Sequence, residues 1–519
     1  MSALQLGRLL PLVVAAVVLG VNAAILQPWP AGVFYDDAMY LVLAKALATG
    51  EGYRYLNLPG TPAATHFPPG YPAVLAAIWA LFPDFPDNLA LLKLANCVFA
   101  AAAAVAVYVL ARRRLALSPV LAAGVCALAG ATFPFILLTG VLLSEPLFLA
   151  LLVPALLVAE RAAEEDDARL AAAVGAAAAV VALVRSVGIL LIPAACLVLA
   201  LRRRWRAAGA CAAAGVLVAL PWRLWAAAHA GDAPAALGAM YGPYASFVGD
   251  VWGGPGALRF VAETALKNLT APPRLVAALF AVGMPTPVVL LVLGTAAACL
   301  ATGAVRVARQ APVTAAYLAA YLATVLVWPF MPDRFLWAVW PLLAVTAAAG
   351  AVALWRAAAG RRWGVPARAL LTAGLGAAAI GHLHYNARGF ANAWYESPQR
   401  TAALAALPLA RWVEAHVPPG DVVMSDAELL VYLYTGRRAI PPGTFRAESY
   451  LAPEDPAERA ETLQRLVQVY EPRHILLMSA TSPHGAGARR LLGGDRPSLT
   501  LVDTLPGGGA VLRPALPRP

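Results

Sequence analysis

Two adjacent carboxylates, Asp36 and Asp37, stand about ten residues beyond the first apolar stretch of the chain. A carboxylate at a membrane surface can take a proton from an incoming hydroxyl, or bind a cation that holds a phosphate. The bland alternative is helix capping, because Asp is favoured at the N-cap and in the first turn. One Asp would suffice for that, so the pair leaves both readings open. His66 lies in Thr65-His66-Phe67-Pro68-Pro69-Gly70-Tyr71-Pro72. It is a candidate ligand for a metal or a phosphate, and otherwise a solvated imidazole. The two prolines stiffen the chain and remove two donors, which suits the wall of a cleft.

A second group of candidates is spread over the middle of the chain. Ser144-Glu145-Pro146 opens an apolar stretch. Glu145 at membrane depth is costly unless it faces a cavity or a partner. Ser at the N-cap with an acid and a Pro in the first turn also reads as a simple helix start. Arg185 lies between two apolar stretches, and Arg334 follows Asp333. A guanidinium is the natural partner of a phosphate at a dry interface. Asp333 could instead neutralise Arg334. Lys93 is a further cation for a substrate anion, or a side chain that snorkels.

The elements that must position these residues follow from composition. Of 519 residues, 61% are apolar and 13% are charged. The mean hydropathy is +0.70. Soluble, disordered and fibrous classes are excluded, and a polytopic membrane protein remains. The net charge of +11 sits in short runs between apolar stretches rather than in a nucleic-acid face. All five cysteines fall in apolar stretches, so a disulfide framework is not expected.

About eleven spans are predicted, at 9–26, 89–111, 119–138, 145–159, 170–184, 186–201, 207–229, 278–301, 311–330, 335–355 and 367–385. Residues 21–23 are weakly cleavage-like, but the length of the first segment favours a retained span. Arginine runs at 112–114, 202–206, 306–309 and 356–362 fall on one side, which marks the cytoplasm. The loop 160–169 on that side is acidic, and acids contribute little to orientation. The N-terminus is then inside, and everything after Tyr385 is outside.

Two external segments are long, 27–88 and 230–277. Helices are expected at 38–48 and 71–82, lying flat with Tyr53, Tyr55 and Trp79 at the headgroup level. Residues 387–519 alternate between helix, turn and strand signals and predict a small extracytoplasmic α/β domain. The membrane domain then spans 1–386. Expected features of the α/β part are helices at 401–416 and 455–470, strands at 422–424 and 475–478, and a hairpin from 499–502 to 510–512.

Several motifs together resemble a known family. Phe34-Tyr35-Asp36-Asp37-Ala38-Met39-Tyr40, Thr49-Gly50-Glu51-Gly52 and His66-Phe67-Pro68-Pro69-Gly70-Tyr71-Pro72 are similar to the first external loop of GT-C fold glycosyltransferases. The branch is that of protein O-mannosyltransferases and the bacterial aminoarabinose transferase of lipid A. Ser144-Glu145-Pro146, Arg185 with Gly188, and Arg334 before Trp340-Pro341 match recurring positions. Residues 412–438 resemble the start of the soluble domain that many members carry. The chain departs from the pattern in two places. It has Asp-Asp where Asp-Glu is usual, and His66-Phe67 where the aminoarabinose branch has Glu-Lys. The Trp-Trp-Asp motif of oligosaccharyltransferases is not found.

The resemblance implies a polyprenyl-phosphate-linked sugar donor and a lipid, glycan or protein acceptor at the outer face of a bacterial plasma membrane. Asp36 is then the expected base, with Asp37 as fallback. Asp37, Glu145, Arg185, Arg334 and Lys93 are expected on the substrates. A divalent metal held through His66 is the expected cofactor; no organic cofactor and no nucleic acid are implied. The competing class is a transporter or flippase of lipid-linked sugars, which would place its polar groups near the bilayer midplane in two related halves. No such repeat is visible, and the polar groups cluster at one face. A third reading is a surface-binding module in which the C-terminal domain does the work.

Overall fold

The computed structural model describes residues 3–27, 29–32, 34–254, 256–493 and 498–515. Two compact units are formed, and neither is continuous in sequence. The first comprises Met1–Leu26, Lys93–Pro221 and Val261–Tyr395; the second comprises Gln27–Leu92, Trp222–Phe260 and Glu396–Pro519.

The first unit is helical. Over the whole chain, six described helices are long and apolar enough to cross a bilayer: Leu89–Arg113, Glu145–Glu165, Trp205–Ala228, Thr286–Gln310, Trp340–Ala357 and Gly364–Ala391. A seventh crossing is made if the pair Pro119–Gly130 and Phe133–Gly140, bent by 55°, is one span. Ala168–Val184, Ser186–Leu201 and Pro312–Val327 are apolar but shorter. Each predicted span falls on one of these helices or on Ala3–Ala24.

The departures from the predicted spans have local causes. Pro134, in the first turn after Thr132, cannot continue the preceding helix, so the span at 119–138 breaks. The stretch 278–301 begins instead at Thr286, because Gly283 with φ 70° and Pro285 end one helix and start another. The acidic stretch at 160–169 is not all loop. The helix runs on to Glu165, and Glu160 is buried, accepting from the Thr314 backbone N–H at 2.7 Å and its hydroxyl at 2.8 Å.

Close helix contact in this unit is made by small residues. A Cβ on Gly350 would lie 1.8 Å from the Cys299 carbonyl oxygen, and one on Gly303 would lie 2.0 Å from the Thr346 oxygen. Cys299 and Gly303 on one helix, and Thr346 and Gly350 on the other, are each four apart. That spacing puts two small side chains on one stripe and lets the backbones touch.

The second unit carries a five-stranded sheet in the order β2-β1-β3-β5-β4. Its strands are β1 (Val423–Ser425), β2 (Ala439–Ile440), β3 (His474–Leu477), β4 (Leu499–Leu505) and β5 (Gly509–Pro514). β1 pairs parallel with β2 and β3; β5 pairs antiparallel with β3 and β4. Helices Ser397–His416, Glu428–Thr435, Pro456–Tyr470 and Pro483–Leu492 complete the α/β part. Its core joins Leu409, Val413, Val423, Val431, Leu476 and Val511.

The first external segment folds into this second unit. It contributes the helices Tyr35–Ala48 and Gly70–Leu81. Tyr53, Tyr55 and Trp79 are not at a headgroup surface but buried. Burial of the two tyrosines is possible because their polar ends find partners: the Tyr53 hydroxyl donates to the Phe67 carbonyl at 2.8 Å, and Tyr55 accepts from the His66 N–H at 3.1 Å. The second external segment is helical for most of its length, with Gly238–Tyr241, Tyr244–Gly253, Ala257–Asn268 and Ala271–Phe280.

Candidate functional site

In the second unit, Asp36 and Asp37 sit in the first turn of the Tyr35–Ala48 helix. Asp37 is fully buried. Its Oδ2 accepts from the Gly32 N–H at 2.7 Å, and its Oδ1 accepts from the N–H groups of Phe34 at 2.9 Å and Ala38 at 2.8 Å. Burial pushes its carboxyl up to about 7, although the three N–H groups pull the other way. Asp37 therefore closes the turn that opens the helix. Asp36, one residue earlier, is half-buried and takes none of these three bonds.

His66 belongs to the same unit, and its ring lies within electrostatic reach of Asp36. Its Nδ1 is 2.9 Å from the Gly242 carbonyl oxygen. A carbonyl only accepts, so Nδ1 carries the proton and Nε2 presents a lone pair. Burial lowers the His66 pKa, against the opposing pull of the Gly242 carbonyl and of Asp36. Among the described residues no three His, Cys, Asp or Glu side chains gather as a metal group would require. Nε2 of His66 and the Asp36 carboxylate are two donors, fewer than the three or four side chains of a closed protein metal site.

In the first unit, three predicted residues meet. Arg185 Nη1 lies 2.9 Å from Glu145 Oε1, and Arg334 Nε lies 2.7 Å from the same oxygen. Arg185 Nη1 also donates to the Ser144 hydroxyl at 3.1 Å. Glu145 is fully buried, while the Arg334 side chain is 31% exposed. Two guanidiniums thus share one carboxylate oxygen, and the Arg334 side chain keeps part of its surface exposed. Asp333 pairs with Arg274 at 2.8 Å. Lys93 is buried at 3% exposure and does not snorkel.

The helix that carries Arg334, Pro332–Ala338, is tied down from behind. The Tyr321 hydroxyl donates to the Phe335 carbonyl at 2.7 Å. Leu336 and Trp337 of this helix line a cavity of about 680 Å³ in the same unit. Its other walls include Leu279, Phe280, Val292, Trp340 and Leu375. The indole N–H groups of Trp337 and Trp340 are buried there without a hydrogen-bond partner among the described residues.

Sequence reasoning missed Glu428 and Tyr241. Glu428 opens the apolar run 429–434 just as Glu145 opens its own, and that signal was available. Nothing local marks Tyr241, whose partners are all distant in sequence.

The helices, the broken span and the C-terminal sheet define a polytopic membrane protein of the GT-C fold. Among solved structures, the chain is similar to ArnT from Cupriavidus metallidurans bound to undecaprenyl phosphate, with TM-score 0.55 and 15% identity over 97% of each chain. It is similar also to the apo state of that protein, with TM-score 0.52 and 13% identity over 96% of this chain and 97% of that one. At such identity the likeness is one of fold. No family model matches the sequence, and no curated protein does.

Proposed function

We propose that the protein is an integral-membrane glycosyltransferase. It moves a sugar from a polyprenyl-phosphate carrier to a hydroxyl of a lipid, glycan or protein at the outer face of a bacterial plasma membrane. The observation that carries this reading is the Pro332–Ala338 helix. It offers Arg334 to the Glu145–Arg185 cluster and Leu336 and Trp337 to an apolar cavity. A cation beside a greasy cavity fits an anion on a hydrocarbon chain, and the similar ArnT structure holds undecaprenyl phosphate.

In the proposed reaction, Asp36 takes the proton of the acceptor hydroxyl. That oxygen attacks the anomeric carbon, and the bond to the carrier phosphate breaks with inversion. Arg185 and Arg334 hold the leaving phosphate, and Glu145 keeps both guanidiniums aimed. Positioning and charge stabilisation supply most of the acceleration. Asp37 is occupied by backbone donors, which favours Asp36 as the base. The basic loops support a cytoplasmic N-terminus and an extracytoplasmic segment 387–519.

The test offers radiolabelled polyprenyl-phosphate sugars with crude envelope acceptor to the protein in nanodiscs. The wild type is expected to release label from the lipid, and Asp36→Asn to release none while unfolding at the same temperature. Full activity of Asp36→Asn would remove the base assignment. Saturable donor binding without turnover would move the reading to a lipid-linked-sugar transporter.

A further inference from the structure

The second unit contains a buried polar relay that the proposed reaction does not use. Glu428 is only 4% exposed and stands at the start of the Glu428–Thr435 helix. Its Oε1 accepts from the Tyr241 hydroxyl at 3.2 Å. That hydroxyl in turn accepts from Asn57 Nδ2 at 3.1 Å. Tyr241 is itself fully buried and meets Tyr55 edge-on, with ring centroids 4.9 Å apart. Three segments far apart in sequence thus converge on one phenol: the first external segment through Asn57 and Tyr55, the second through Tyr241, and the C-terminal part through Glu428.

The backbone of the same short helix reaches the candidate site. The Tyr241 carbonyl accepts from the Thr65 hydroxyl at 3.4 Å, and the next carbonyl, of Gly242, holds His66 Nδ1 at 2.9 Å. The Tyr55 hydroxyl accepts from the His66 N–H at 3.1 Å. The ring and the backbone of His66 are both set by groups whose place depends on Tyr241. Helix Gly238–Tyr241 has only four residues, too short to hold itself in place, so its position rests on such side-chain anchors.

We propose that Glu428 is a positioning residue for the transfer site, acting through Tyr241 to fix the two carbonyls that hold Thr65 and His66. The inference rests on the function proposed above, and gives the C-terminal part of the chain a role in the reaction. An acceptor at position 428 is what the relay needs. Without one, the Tyr241 hydroxyl loses its carboxylate acceptor and is left with the Tyr35 hydroxyl, a weaker neutral partner, so the short helix is held less firmly. A shift of about 1 Å in a positioning element can lower turnover by roughly a hundredfold.

The experiment compares full-length wild type, Glu428→Leu, Glu428→Gln and Tyr241→Phe in nanodiscs. The first readout is the rate at which diethyl pyrocarbonate modifies His66, followed by mass spectrometry at pH 7. The second is kcat and KM for release of sugar from the polyprenyl carrier. Glu428→Leu and Tyr241→Phe are expected to raise the modification rate several-fold and to lower kcat more than they raise KM. The double variant should be no worse than either single one. Glu428→Gln, which keeps an acceptor oxygen, should restore most of both. Unchanged labelling and kcat in folded Glu428→Leu and Tyr241→Phe would overturn the proposal. If Glu428→Leu fails to fold, Tyr241→Phe against Glu428→Gln decides the same question. If the wild type transfers no sugar from any donor, the functional reading falls, while the labelling rates still decide whether Glu428 positions His66.

Discussion

Asp37 and Glu145 are both fully buried carboxylates in the first turn of a helix, and the two units satisfy them in opposite ways. Asp37 is held by three backbone N–H groups. Glu145 is held by two guanidiniums on one oxygen, while its Oε2 is buried with no hydrogen-bond partner among the described residues. Backbone dipoles are fixed, so Asp37 shapes the chain around it and has little left to offer a ligand. Side-chain cations can be shared, so Glu145 assembles charge for something else to use. The first arrangement is a structural cap. The second has the form of a binding site.

The largest expected effect comes from removing the shared carboxylate. Glu145→Ala leaves two partly buried guanidiniums without their counter-charge, a loss of about 3–5 kcal/mol. Thermal unfolding in detergent should show it, and a normal unfolding temperature would refute the view that Glu145 assembles the cluster. A smaller loss is expected for Asp37→Ala, at about 1–3 kcal/mol for buried donors left unmade. Asp37→Asn keeps one acceptor oxygen and should lose less, with transfer largely retained. If Asp37→Asn instead abolishes transfer from an intact fold, Asp37 and not Asp36 is the base.

The smallest effect is a pH dependence carried by buried carboxyls of the second unit. Asp37 and Glu428 are both pushed up to about 7 by burial. A carboxyl raised in the folded state contributes stability that is complete below its unfolded pKa of about 4 and is lost as pH rises through about 7. His66, His474 and His484 oppose this, because burial lowers their pKa values and the unfolded chain takes up more protons as pH falls below about 6.5. Glu428 therefore contributes a fall in stability between about pH 5 and pH 8, and Glu428→Gln should remove that share of the slope. An unchanged slope would mean that Glu428 does not ionise in that range.

Much of the architecture was legible in order along the chain, because hydropathy, proline and glycine act locally. The roughly eleven expected spans land on helices, though only six or seven of the described ones are long and apolar enough to cross a bilayer, and the hairpin from 499–502 to 510–512 appears as β4 and β5. Helices at 38–48 and 71–82 appear within a few residues of their expected bounds. The candidate residues could be named for the same reason. An acid beginning an apolar run, or an arginine between two such runs, is conspicuous without any fold.

The partners of those residues were decided only by tertiary structure. Glu145 and Arg334 are 189 positions apart, and Tyr241 and Glu428 are 187 apart. No local pattern encodes such pairings. Arg334 could be assigned to its neighbour Asp333 on the page, but packing gives Asp333 to Arg274 and Arg334 to Glu145. Tyr53, Tyr55 and Trp79 have the amphipathic rings of an interfacial belt, yet the fold buries them, the tyrosines against backbone partners and Trp79 stacked on Phe85. The sequence by itself determined which segments are helical and which charges are out of place. The tertiary fold decided what each charge is for, because a buried charge takes its role from the partner that satisfies it, and that partner comes from elsewhere in the chain.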